Sequence, residues 1–280
     1  MGIAQGRARS LPQALRTYYS RLLGFVKHRP AKKEGAAAPA VSFGRFYAPD
    51  AAGKEAGTGL IYVTGDTHGD LRRFTERPMR RLKRQDTLIV LGDFGFLWDG
   101  GREEQKALKW LARRPYQLLF IDGCHENFDL LRDYPVAEYK AGRARKIADN
   151  LFYIQRGSIL QIEGKKLLCF GGGESEDKEE REEGVNWWRA EMPTTDELEF
   201  CAENLAAAGR KVDYILTHDA PTRFLAFTAM EREQTNWLHT FFDKLLESVE
   251  YRSWLFGRYH RDLPLSGKAR AVFCDLVPLE

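Results

Sequence analysis

The sequence predicts an α/β protein in which two packed β-sheets form a sandwich with helices outside. Three observations carry that expectation. From residue 60 onward, apolar runs of four or five residues alternate with amphipathic stretches, the pattern of βαβ units and largely parallel sheets. Glu163-Gly164-Lys165 lies between the apolar runs 159–162 and 166–170 and reads as a hairpin. The remaining runs end in polar clusters, as strands do where an open α/β sheet binds its ligand.

In chain order, residues 1–57 read as a basic N-terminal extension and 58–280 as the main domain. The extension holds ten Lys/Arg against three Asp/Glu, whereas the whole chain is only +3. The rest is therefore acidic, and whole-chain charge is poor support for a nucleic-acid partner. Ser10 is placed to cap a helix reaching about Arg29. Its apolar residues Leu11, Leu15, Tyr18, Leu22 and Val26 recur at helical spacing, and Pro30 stops it. Residues 34–40 and 53–59 read as linkers. A membrane-surface or protein-partner element, a targeting segment and a loosely packed extension all fit this pattern. In the main domain, 60–64, 87–91, 117–121, 214–217 and 253–256 read as strands. Residues 102–114, 195–208 and 233–249 read as helices, and 269–279 as further strand.

Composition is that of a soluble globular protein, with 43% hydrophobic and 30% charged residues. No apolar run approaches the ~18–20 residues that span a membrane. Cys124, Cys169, Cys201 and Cys274 form no CxxC pair, which fits free thiols in a reducing cytoplasm.

Five apolar runs end in metal-ligand residue types. The first ends in Gly65-Asp66-Thr67-His68-Gly69-Asp70, where Asp66 and His68 can turn toward one ion. The second ends in Gly92-Asp93-Phe94-Gly95 and the third in Asp122-Gly123-Cys124-His125-Glu126. The fourth ends in His218-Asp219-Ala220-Pro221 and the fifth in Gly257-Arg258-Tyr259-His260-Arg261-Asp262. One Asp-x-His is weak evidence, but five such strand ends point to a shared site.

At these positions the chain resembles the calcineurin-like metallophosphoesterases, whose pattern is DxH, GD, GNH(E/D), a lone His and GHxH, each after a strand. The resemblance covers about residues 60–280. It looks closest to a bacterial and phage-type subgroup resembling serine/threonine phosphatases, through GDTHGD, GDFGFLW, the 177–188 stretch, THxAP and FGxYHRD. It implies a four-layer αββα fold and hydrolysis of phosphate mono- or diesters by a metal-bound hydroxide. It further implies that Asp66, His68 and His260 hold a first ion, that Asp93 bridges two, and that His218 holds the second. His125 would serve as acid or transition-state stabiliser. Mixed imidazole and carboxylate donors suit Mn, Fe, Zn or Ni without choosing among them. The implied partner is a phosphorylated small molecule, phosphoprotein or nucleotide. No nucleophile elbow or P-loop signature suggests a covalent route.

Two departures fall on the second ion. The family has Asn where this chain has Cys124, and His where it has Arg258. Cys124 reads as a thiolate ligand, a redox-sensitive thiol or a filler in a decayed site. Arg258 cannot coordinate a cation; it either turns inward to present its fork to phosphate oxygens or turns out to solvent. The expectation is one firmly held ion and a weakened or altered second position. The alternative is a catalytically impaired phosphate-binding protein or regulatory pseudoenzyme. The acidic loop 174–183 reads as a solvated loop or a lid, and Trp187 and Trp188 as packing anchors. Asp70, Asp129, Arg132 and Asp262 stay open between support for the site and surface placement.

Overall fold

The computed structural model describes residues 59–226 and 235–280. The basic extension and its expected helix lie outside the described residues. The start of the expected 233–249 helix touches the undescribed segment; the helix itself is Trp237–Ser248.

Among the described residues, thirteen strands form two sheets. Strands β1 (Ile61–Thr64), β2 (Thr87–Leu91), β3 (Gln117–Ile121) and β6 (Leu151–Ile154) run parallel in one. That sheet is extended by β5 (Gly142–Ala148), β4 (Val136–Tyr139) and β13 (Val277–Leu279), each antiparallel to its neighbour. In the other, β8 (Lys165–Phe170), β9 (Tyr214–Thr217), β10 (Ser253–Phe256) and β12 (Ala269–Ala271) are parallel. Its antiparallel edges are β7 (Ser158–Ile162) and β11 (Leu263–Ser266).

Side-chain alternation along the strands divides the core. Ile61, Val63, Ile89, Leu91, Leu119 and Ile121 pack against Leu167, Cys169, Tyr214, Leu216 and Leu255 between the sheets. On the far side of the first sheet, Leu88, Val90, Leu118 and Phe120 meet Phe74 of α1 (Arg72–Thr75), Leu111 of α2 (Arg102–Leu111) and Leu131 of α3 (Phe128–Asp133). On the far side of the second sheet, Phe170 packs against Phe241 and Phe242 of the Trp237–Ser248 helix, and Trp254 meets Phe242 edge-on. Phe224 of Thr222–Leu225 also meets Trp254. The expected sandwich flanked by helices is therefore observed, with Thr195–Ala207 opened by a Thr194/Glu197 capping box.

The hairpin forms, but with Lys165 paired in the strand the turn is two residues rather than three: Glu163 (φ 48°) and Gly164 (φ 73°) are both left-handed, as a two-residue turn between twisted strands requires. Residues 269–279 differ from the expectation: they form two strands in different sheets. The Asp262 carboxylate accepts N–H bonds from Phe273 (2.8 Å), Cys274 (2.9 Å) and Asp275 (3.0 Å), and this loop turns the chain from one sheet to the other. Residues 134–157 carried no strand signal yet contain β4, β5 and β6. Arg143, Arg145 and Lys146 break the apolar pattern because β5 lies toward a sheet edge with a partly solvated face. Among the described residues, no helix is long and apolar enough to cross a membrane.

Candidate metal centre

The carboxyl ends of β1, β2, β3, β9 and β10 deliver the residues picked out from the sequence. Sharp backbone turns aim them. His68, Asp93, Arg258 and His260 all have φ between 45° and 67°, a region that non-glycine residues seldom occupy. Such left-handed residues cluster where structure is held for function. Two glycines make room. A Cβ on Gly123 would stand 2.0 Å from Asp93 Oδ1, and one on Gly257 would stand 2.5 Å from Asp66 Oδ1. Gly123 thus lets the Asp93 carboxylate close in from the neighbouring strand, and Gly257 lets Asp66 close in from the other sheet.

Three overlapping donor groups result: Asp66/His68/His260, His68/Asp93/His125 and Asp93/Cys124/His218. In the first, His68 Nε2 and His260 Nε2 face each other at 2.9 Å, and His260 Nε2 lies 3.1 Å from Asp66 Oδ2. His68 Nε2 is 3.9 Å from both Asp66 Oδ2 and Asp93 Oδ2. In the third, His218 Nε2 lies 3.5 Å from Asp93 Oδ1, Cys124 Sγ 3.8 Å from His218 Nε2, and Cys124 Sγ 3.9 Å from Asp93 Oδ2. Donors on a tetrahedral ion with bonds of about 2.0–2.3 Å stand about 3.3–3.8 Å apart, and those at right angles on an octahedral ion about 3 Å apart. Both groups are spaced to share a cation.

Two further observations fit an ion. Asp66 Oδ2 is buried without a hydrogen-bond partner, although it sits near two imidazoles. His218, fully buried, has Nδ1 2.8 Å from the Leu91 carbonyl oxygen. That bond puts a proton on Nδ1 and aims Nε2 at Asp93 and Cys124, as for metal-ligating imidazoles.

Electrostatics tell the same story. Burial pushes His218 down, but Asp93 and Asp66 outweigh it and raise the imidazole to about 10. Burial pushes Asp93 up, yet His218, His125 and His68 hold it well below the usual carboxylate range. Asp93 raises His125 through a side-chain bond, and the Asp66 carboxylate, 3.1 Å away, raises His260. Without an ion, protons on His218 and His260 neutralise the carboxylates. Because the folded-state values are raised, this stabilisation is complete below the ordinary 6.5 and is lost as pH rises through about 10. Thermal melts of chelator-treated protein are therefore expected to show a melting temperature that falls between pH 6.5 and 10. Saturating zinc or manganese is expected to flatten that fall by replacing the protons. Equal slopes with and without the ion would contradict the assignment.

Asp93 also orients His125, accepting its backbone N–H at 2.8 Å and lying 2.9 Å from Nδ1. Below the third strand end, buried Asp122 accepts from Tyr153 Oη (2.9 Å) and Arg156 Nε (2.9 Å), pinning the turn into Gly123.

Cys124 is buried, and burial together with Asp93 raises its thiol. This argues against an oxidant-accessible sensor and leaves ligand and filler as the two readings. Arg258 turns inward, with its side chain only 5% exposed. Its Nε lies 3.5 Å from Asp219 Oδ2, Nη2 donates to the Glu174 carbonyl, and Nη1 has no hydrogen-bond partner.

The sequence reading missed the supports of that arginine. Asp219 also meets His239 Nε2 at 3.1 Å and accepts from the Tyr259 hydroxyl. Asp219 and Tyr259 carried the signal of adjoining ligand residues; His239 lay unmarked in a helical stretch. Asp262 shapes the loop whose Phe273 ring packs on His260, with centroids 4.7 Å apart. Asp70 pairs with exposed Arg72. Asp129 pairs with Arg132 and accepts from Trp188 Nε1 at 2.8 Å. Trp188 is an edge-on partner of Trp98, while Trp187 Nε1 donates to Glu191 at 2.7 Å. Both tryptophans anchor the acidic loop, which reaches the centre through Arg181, whose Nη2 lies 3.1 Å from His125 Nε2.

Residues 59–262 match the family model described as calcineurin-like phosphoesterase. No curated protein matches the chain. Among solved structures, the crystal structure of Phosphopantetheinyl Hydrolase (PptH) from Mycobacterium tuberculosis is similar at 14% identity, over 77% of this chain and 90% of that one, with a TM-score of 0.33.

Proposed function

The chain belongs to the calcineurin-like phosphoesterase family, and from that premise we propose that it hydrolyses phosphate mono- or diesters at an asymmetric metal centre. The observation that carries this reading is the approach of Asp66, His68 and His260 to within coordinating range of one another, with Asp93 Oδ2 3.9 Å from His68 Nε2. A divalent ion held there would lower the pKa of a coordinated water and offset phosphoryl charge. The other side chains hold the geometry. Asp93 fixes the His125 ring, and a proton on His125 Nε2 would pass to the leaving oxygen. The Leu91 carbonyl fixes His218. Arg258 supplies one delocalised charge and a donor fork beside the second group. Asp93, Cys124 and His218 there would favour zinc, since a thiolate suits a borderline-soft ion.

The buried guanidinium also favours a second reading, a phosphate-binding protein with little turnover. One experiment separates the two. The full chain is stripped with chelator, reloaded singly with Mn, Fe, Zn or Ni, and assayed on p-nitrophenyl phosphate and bis-p-nitrophenyl phosphate. Turnover with at least one ion, lost again on chelation, is the expected result. Ion and phosphate binding without turnover would select the second reading. Failure to bind any ion would contradict both.

A further inference from the structure

We propose that Arg181 and Arg258 together clamp the phosphoryl group and restrict this site to phosphate monoesters; the inference rests on the hydrolytic reading above. Arg181 comes from the acidic loop, outside the five strand ends. Its Nη1 donates to the Asn186 carbonyl at 3.1 Å, and its Nη2 is shared between Asp177 Oδ2 (2.8 Å) and His125 Nε2 (3.1 Å). A guanidinium cannot accept a hydrogen bond, so His125 Nε2 must be the acceptor in this contact. The ring proton then sits on Nδ1 and faces Asp93 Oδ2, leaving no Nε2 proton for a leaving group. This arrangement is a resting one, and catalysis requires Arg181 to leave His125.

A phosphate dianion is a far better acceptor for a guanidinium than a neutral imidazole, and its oxygens match the fork. The loop is tethered so that the guanidinium travels only a short way. Buried Glu191 accepts from Ser175 N, Ser175 Oγ and Trp187 Nε1, each at 2.7 Å, and Trp188 is fixed to Asp129. The second half of the clamp is Arg258. Its Nη1 is buried with no hydrogen-bond partner and borders Gly173, with the His218 ring close by. Two guanidinium charges match a monoester dianion. A diester carries one charge fewer and lacks one acceptor oxygen, so it would leave a buried donor unsatisfied. Sites with buried donors reject ligands that lack the matching acceptor.

The test compares wild type, Arg181→Ala and Arg181→Lys as ion-loaded full chains at about pH 8, where a phosphate monoester is a dianion and inorganic phosphate is mostly one. Calorimetric titration measures inorganic phosphate and dimethyl phosphate. The alanine variant is expected to bind inorganic phosphate about tenfold more weakly, the loss of one charge-assisted hydrogen bond, with dimethyl phosphate and ion content nearly unchanged. The lysine variant falls between, keeping the charge but losing the fork. In parallel, kcat/KM for p-nitrophenyl phosphate is expected to drop while that for bis-p-nitrophenyl phosphate holds. Equal losses for both probes, or no loss for phosphate, would overturn the clamp. A preserved phosphate preference with no hydrolysis in any variant would keep the clamp and remove the hydrolytic reading.

Discussion

Replacing Asp93 with alanine is expected to remove ion binding from both donor groups and to lower ester hydrolysis by at least about 10³-fold. Asp93 stands between the two sets, 3.9 Å from His68 Nε2 on one side and 3.5 Å from His218 Nε2 on the other. It also positions His125 through two contacts. Losing it removes a ligand from each ion and the anchor of the proton donor at once. Asp93→Asn separates these roles, because an amide oxygen can still accept the His125 backbone N–H while the negative charge is gone. That variant is expected to keep the His125 orientation yet hold the ion far more weakly. Circular dichroism should show both variants folded, since Asp93 follows β2 and contributes nothing to the strand ladder. Near-normal turnover in Asp93→Ala would count against the site assignment.

The second large effect concerns the position altered by Cys124 and Arg258. Wild type is expected to retain one tightly held ion per chain, and Cys124→Asn/Arg258→His to retain two and turn over faster. The reason is charge as much as ligand count. A guanidinium about 5 Å from a divalent ion opposes it by several kcal/mol at an effective dielectric of about 20. Arg258 is buried and tied to Asp219 and the Glu174 carbonyl, so it cannot simply swing away. Histidine at this position would exchange that repulsion for a donor, while His239 and Tyr259 would still satisfy Asp219. Metal content measured after gel filtration, alongside turnover, decides the matter. A wild type that already retains two ions and turns over as fast as the double variant would remove the argument for an altered second position.

The chemistry-bearing part of this fold was easier to read in the sequence than the rest. Thr87–Leu91, Gln117–Ile121, Tyr214–Thr217 and Ser253–Phe256 are short, fully apolar or nearly so, and each stops at a Gly or polar cluster, so their limits were visible. The strand Gly142–Ala148, one place in from the sheet edge, was invisible because Arg143, Arg145 and Lys146 share it with few apolar residues. The division of 269–279 between two sheets depended on three backbone bonds to Asp262, a contact no periodicity announces. At the site, residues drawn from the strand ends were found because Asp and His side chains cluster directly after five apolar runs. His239 and Glu191 were not, because their roles come from long-range packing against Asp219 and Ser175. The direction of the Arg258 side chain was also beyond the sequence, since it depends on Asp219 and Tyr259 closing around the guanidinium.

X-ray absorption spectroscopy of the full chain loaded with one equivalent of zinc tests the central claim most directly. A shell of nitrogen and oxygen donors with imidazole scattering and no sulfur is the expected result, as Asp66, His68, Asp93 and His260 would give. A shell with sulfur at about 2.3 Å would put the first ion on Cys124 instead and contradict the claim that the Asp66 group binds it first.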